Sequence, residues 1–178
     1  MNHELHKKVA NCLEDVINSS PSIFSVEKDH ASGGTINLPF FLSDKAHNDT
    51  EITNVDVMVV KDNKTIKLIC EIEESDITPI RTFGKVFVAI SSKMCRLKNK
   101  QKYDIDKHGV FIQVLSTKGL KASSKKTVQG ENIEKAINTI LATNKLWIKE
   151  YHLIYGGVDD FNEGEKGYNK IKEIRIDK

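Results

Sequence analysis

Residues 55–73 read VDVMVVKDNKTIKLICEIE, and this stretch decides the fold. Val55–Val60 and Thr65–Glu73 are rich in Val and Ile, and Lys61-Asp62-Asn63-Lys64 separates them. Two such runs around a short polar break predict a β-hairpin. With Asp62-Asn63 as a two-residue turn, Lys61 faces Lys64, and the rest of the register follows. Asp56 then opposes Ile69, Asn54 opposes Glu71, and Ile52 opposes Glu73. Opposed residues share a face, so Asp56, Glu71 and Glu73 all project from one side of the sheet. Glu71 lies diagonal to Asp56, roughly 7–8 Å away between Cα atoms. The other side carries Val55, Val57, Val59, Ile66, Leu68, Cys70 and Ile72, an apolar face suited to a core.

Outward from the hairpin, Leu5, Val9, Leu13 and Val16/Ile17 recur at spacings of three and four and predict a helix over 4–17. Ser22–Asp29 reads as a strand, followed by a glycine turn at Gly33–Gly34; 38–50 reads as a loop. A helix entered near Pro79 is expected over 77–92, a buried strand over Gly109–Thr117 and a second amphipathic helix over 130–143. Trp147–Tyr155 reads as a last strand, and the chain after Gly156 as a polar, weakly structured tail. The order α-β-β-β-α-β-α-β predicts a single α/β domain spanning 1–178, with a core over about 4–155 and a central mixed β-sheet flanked by helices.

The chain of 178 residues is long enough to bury a core without disulfides or a structural metal. Its three cysteines, Cys12, Cys70 and Cys95, lie far apart and form no CxxC, which points to a reducing compartment. The opening MNHELHKK is too polar for a signal peptide, and the longest apolar run is Val86–Ile90. A cytoplasmic protein is expected. The net charge of +2 hides a segregation: 1–80 carry 7 basic against 14 acidic residues, whereas 93–126 carry 10 basic against Asp104 and Asp106. Such asymmetry suggests an acidic chemical site beside a basic docking surface; solvated loops are the plainer alternative.

Three carboxylates at the end of two otherwise apolar strands repel one another and resist ionisation where partly buried. A hard divalent cation, Mg²⁺ or Mn²⁺, resolves that conflict. An exposed hairpin end, with Glu71 and Glu73 solvated or paired to lysines, is the other reading of the same residues.

Asp56, a strand hairpin and then Glu71-Ile72-Glu73 resemble the active-site signature of the PD-(D/E)XK, or restriction-endonuclease-like, nuclease superfamily. The order of elements resembles that family's over roughly 4–155. The resemblance implies that Asp56 and Glu71 hold Mg²⁺, with Mn²⁺ able to substitute, and that Glu73 completes the catalytic set. Glu73 stands where the family usually has lysine, as in the E-x-E variant of some type II restriction endonucleases, and Val55 stands where the motif's proline would be. Glu73 would orient the attacking water or share a second ion, and Lys85 is a candidate substitute for the missing lysine. Glu14 is a candidate outer carboxylate.

The resemblance further implies a homodimer acting on double-stranded DNA, with the basic segment 93–126 against phosphates. Ser116, Thr117, Ser123 and Ser124 are candidates for further phosphate contacts. A non-catalytic nucleic-acid-binding or assembly module with a degraded site is the alternative. His3, His6 and Glu4 form a metal-like cluster but fall in a terminus expected to fray, and the remaining histidines show no ligand spacing. Neither glycine pair forms a phosphate-binding loop.

Overall fold

Asp62 and Asn63 both take left-handed backbone angles, φ 53° and 52°, as a tight type I′ hairpin turn requires. The Lys64 N–H closes this turn on the Lys61 carbonyl at 3.0 Å. The structure, a computed structural model, describes residues 3–19, 23–75, 78–99, 101–120 and 124–176. The turn joins β4 (Val57–Lys61) to β5 (Thr65–Glu73), counting strands in chain order. The ladder between them differs from the expected one. Lys61 pairs with Thr65 and Val60 with Ile66; beyond a bulge, Val59 pairs with Leu68, Met58 with Ile69 and Val57 with Cys70.

The first offset alone would put Asp56 and Glu71 on opposite faces, because strand side chains alternate. The bulge makes Lys67 an extra residue on β5 and adds a second residue of offset, which restores the parity. One step beyond Val57–Cys70, where the ladder ends, the same register would bring Asp56 level with Glu71. The expected pairs Asp56–Ile69, Asn54–Glu71 and Ile52–Glu73 do not form. Ile52 and Asn54 belong instead to a separate short strand, β3 (Glu51–Asn54), which pairs with β2 (Pro39–Phe41) inside the stretch expected to be loop.

The remaining strands are β1 (Phe24–Lys28), β6 (Met94–Arg96), β7 (Lys102–Ser116) and β8 (Ile148–Gly156). They form one sheet in the order β1-β4-β5-β7-β6-β2-β3. β4 runs antiparallel to β1 and β5, whereas β7 runs parallel to β5. On its far edge the long β7 takes β6 antiparallel near its start and β8 parallel near its end. The architecture is thus α/β with a mixed, partly parallel, open central sheet between helices.

Helices cover both faces: α1 (Glu4–Asn18), α2 (Pro79–Ser91), α3 (Lys126–Thr143) and α4 (Lys166–Glu173). Pro79 opens α2 and the Thr78 hydroxyl accepts the Arg81 N–H, so the start of the helix is set locally. Leu5, Val9 and Leu13 of α1 pack with Val57, Val59, Leu68, Cys70 and Ile72 in one core. Met58, Val60, Ile66 and Ile69 pack with Val86 and Ala89 of α2 and Ile137 and Leu141 of α3 in the other. Val55 and Ile66 therefore join the core on the carboxylate side, not the face expected for them. For Ile66, the bulge at Lys67 is the cause.

The chain after Gly156 is not the weakly structured tail expected. A 3₁₀ turn (Asp159–Phe161) and α4 fold back onto α1, burying Phe161, Ile171 and Ile176. Among the described residues, no helix is long and apolar enough to cross a membrane. Glu71 and Glu73 sit at the carboxyl end of β5, level with Gln113 and Leu115 near the carboxyl end of β7. Ligand sites of open α/β sheets gather beyond such strand ends.

Candidate active site

Asp56 lies just before β4, where the antiparallel ladder stops. Its carboxylate takes over as partner: Oδ2 accepts the Ile72 N–H at 2.6 Å, while its backbone carbonyl accepts the Asp29 N–H at 2.9 Å. This anchors the side chain between Glu71 and Glu73. Burial raises the Asp56 pKa, and the Ile72 amide, His6 and Lys85 hold it back.

Glu71 is buried, at 1% exposure. Lys85 reaches it from α2, with Nζ 2.6 Å from Glu71 Oε2 and 3.4 Å from Glu73 Oε1. Burial first, and Asp56 second, push the Glu71 carboxyl up to about 8, with Lys85 opposing. Burial works against the Lys85 ammonium, but Glu71, Glu73 and Asp56 outweigh it and raise its pKa. Three carboxyl groups thus share one firmly protonated lysine. The set is short of positive charge and resolves the deficit by holding a proton or a cation.

His6, expected to lie in a fraying terminus, is placed beside the carboxylates instead. It sits in the first turn of α1, which begins at Glu4, and is 8% exposed instead of frayed. Its Nδ1–H donates to Glu74 Oε1 at 3.0 Å, and its Nε2 lies 3.8 Å from Asp56 Oδ2. A neutral His6 in that tautomer turns a lone pair toward Asp56, so Asp56, Glu71 and His6 Nε2 are candidate ligands for a cation. Hard carboxylate oxygens predominate, which fits Mg²⁺ or Mn²⁺. Among the described residues, the grouping whose ligand atoms all lie within 4.8 Å of one another is a different one, His3, His6 and Glu74.

Gln113 was not foreseen. It is in register with Glu71 on the neighbouring strand, so the two side chains share a face. It is fully buried, its Oε1 accepts the Tyr151 hydroxyl at 2.9 Å, and its Nε2 has no hydrogen-bond partner among the described residues. A buried unpaired donor costs about 1–3 kcal/mol. Nothing in an apolar strand such as GVFIQVLST signals that cost.

Other expected participants lie elsewhere. Glu14 pairs with Lys28 at 2.7 Å on an exposed part of α1. Described residues of the basic segment line several different hollows. Lys118 lines a cavity of about 340 Å³ with Glu4, Glu74, Ser116 and Thr117, close to the carboxylates. Arg96 and Lys98 line another with Asn37, Asn48 and Asn54, and Lys102 pairs with Asp104. Ser124 accepts the Lys126 N–H within its own turn. Lys100, Lys121 and Ser123 lie outside the described residues.

Comparison with known proteins returns no match: no family model, no curated relative and no solved structure resembles the chain significantly.

Proposed function

We propose that the protein is a Mg²⁺-dependent DNA endonuclease with a restriction-endonuclease-like core and an E-x-E active site, probing its substrate as a homodimer. One observation carries the reading. At the end of an antiparallel hairpin, Asp56, buried Glu71 and Glu73 gather around Lys85, with too little positive charge among them. Asp56, Glu71 and His6 Nε2 are the groups that would hold the cation. A bound divalent ion supplies charge neutralisation at the phosphate and a more acidic water.

The chain's own residues supply the rest. Glu73 is less buried than Glu71, with a side chain 17% exposed against 2%, and faces an incoming water as proton acceptor. Lys85 holds Glu71 and Glu73 in place and presents an ammonium to charge that develops on the phosphate. The Ile72 amide orients the Asp56 carboxylate and partly offsets the rise in its pKa that burial causes.

The deciding experiment incubates the protein with plasmid and phage DNA in Mg²⁺, with Asp56→Asn as the control. Discrete bands mean site-specific cleavage, and a smear means a nonspecific nuclease. Intact DNA together with undetectable Mg²⁺ binding would leave the non-catalytic module. In that reading the Lys85–Glu71 contact is itself the structural resolution of a degraded site.

A further inference from the structure

We infer that the cleft around Trp147 is a second nucleic-acid docking site, which takes the phosphate backbone at a distance from the carboxylates. Two adjoining hollows of about 360 and 450 Å³ share Lys107, Lys145, Leu146 and Trp147; Lys149 and His108 complete one, and Lys93 lines the other. The four lysines come from separate places in the chain: after α2, on β7, before β8 and on β8. All four are exposed, no carboxylate lines either hollow, and none of the four has a carboxylate partner among the described residues. The chain holds 27 basic and 25 acidic residues. Four cations converging with no acid in the lining is therefore a departure from its average surface.

The cleft is built on a fixed floor. Trp147 Nε1 donates to the Ala89 and Ile90 carbonyls near the end of α2, at 3.2 and 3.1 Å. A Cβ on Gly109 would meet the indole at 2.5 Å, so only glycine allows the ring to lie there. With its N–H committed, the half-buried indole offers a ligand its ring surface. Lysines around an aromatic floor suit the phosphate backbone of a nucleic acid, whose approach the indole at their centre would register. Lysine, a point charge without the fork of arginine, suits sequence-independent backbone contact more than capture of a single phosphate. Two shared hollows make an elongated trough, which fits a linear polyanion.

Position strengthens the inference. Trp147 precedes Leu153, the β8 residue level with Gln113, by six positions, or about 20 Å at the usual strand rise. Ile90, Leu146 and Trp147 pack against the same core as Phe111 and Leu115, on the α2–α3 side where Lys85 meets Glu71. The carboxylates repel phosphate when no cation is bound. Attraction for a polyanion must then come from elsewhere on that side, and this cleft supplies it. The inference shares with the nuclease reading only the class of partner.

Trp147 is the chain's one tryptophan, so its emission reports on this cleft alone. The test titrates a 20-base-pair duplex into the full-length protein in EDTA, following tryptophan emission and the anisotropy of labelled DNA together. The expected result is a saturable emission change that tracks the anisotropy. Combined Lys107→Ala, Lys145→Ala and Lys149→Ala should weaken binding at least tenfold. The salt slope should fall by up to about 0.9 for each phosphate that the protein no longer neutralises. Circular dichroism checks that the triple variant is folded, and Asp56→Asn should leave the emission response intact. DNA binding with a silent Trp147 would overturn the cleft and leave the nuclease reading standing. So would a response matched in full by inorganic tripolyphosphate at equal phosphate concentration, which would mark a small-anion site. Absence of any DNA binding, even in the Mg²⁺-bound protein, would overturn both.

Discussion

Lys85 Nζ stands 2.6 Å from Glu71 Oε2 and 3.4 Å from Glu73 Oε1, so the cation missing from the Glu71-Ile72-Glu73 triplet arrives from the next helix. The Glu73→Lys substitution, which recreates the usual triplet, would then set two ammonium groups against one buried glutamate. Cleavage should collapse. Lys85→Gln alone should slow cleavage by about two orders of magnitude, the usual cost of one charged group aimed at the reacting centre. Glu73→Lys combined with Lys85→Gln should be more active than Glu73→Lys alone, because one lysine again serves the site. Plasmid nicking rates for the three variants decide it. Wild-type rates for Glu73→Lys would show that Glu73 takes no part.

Cation binding should be visible without any substrate. At 100 times its Kd, Mg²⁺ adds about 2.7 kcal/mol of stability, roughly 5–10 °C in Tm for a chain of this size. EDTA should reverse the gain, and Asp56→Asn and Glu71→Gln should each abolish it. Neither substitution should weaken DNA binding in EDTA, since neither removes a group that attracts phosphate. A full Mg²⁺ shift in Glu71→Gln would place the cation elsewhere, with His3, His6 and Glu74 as the next donor set to test.

Burial makes a separate, site-independent prediction about the cysteines. Cys12, Cys70 and Cys95 are free and buried. Burial pushes the Cys12 and Cys95 thiols up to about 12, and Cys70 rises as well. At pH 8 a thiol of that kind is roughly one part in ten thousand thiolate, and thiolate is the reactive form. Ellman's reagent should therefore find almost no thiol in the native protein and all three in denaturant. One fast-reacting thiol in the native state would contradict the packing of α1, or of β6, on the sheet.

The hairpin and its turn residues were legible because Asp62 and Asn63 carry local turn chemistry. The sequence register placed Asp56 near the Glu71–Glu73 end of β5, where its carboxylate meets the Ile72 amide, but that register differs from the observed one by two residues. The turn end supplies one residue of offset and the bulge at Lys67 the other. That bulge could not be read, since Lys67 looks like an ordinary polar alternation. Its burial rests on Asp106, 3.3 Å away on another strand. The place of His6 was hidden for a similar reason: its partners Asp56 and Glu74 lie far along the sequence. Tyr168, Ile171 and Ile174 did carry a helical spacing, but surrounding lysines and glutamates masked so short a helix.

The acidity of Glu71 yields the sharpest test of the site without substrate. Burial and Asp56 hold Glu71 up to about 8, while its ordinary value is 4.5. Between those values the folded chain keeps a proton that the unfolded chain has released, so raising the pH favours unfolding. Asp56 is also raised and acts in the same sense. Lys85 is raised from 10.5, so its contribution is present throughout this window and is lost only at higher pH. Glu74 is lowered from 4.5, so its contribution is lost only below the window. Metal-free stability should therefore fall from pH 5 to 8, with a slope of up to about 1.4 kcal/mol per pH unit. Glu71→Gln removes the titrating carboxyl, so its profile should be flatter and its stability above pH 8 should exceed that of the wild type. Saturating Mg²⁺ takes the proton's place and should remove the decline in the wild type. Urea melts across this range, with EDTA and with Mg²⁺, measure all three effects. Parallel wild-type and Glu71→Gln profiles in EDTA would show that Glu71 does not carry the shared proton.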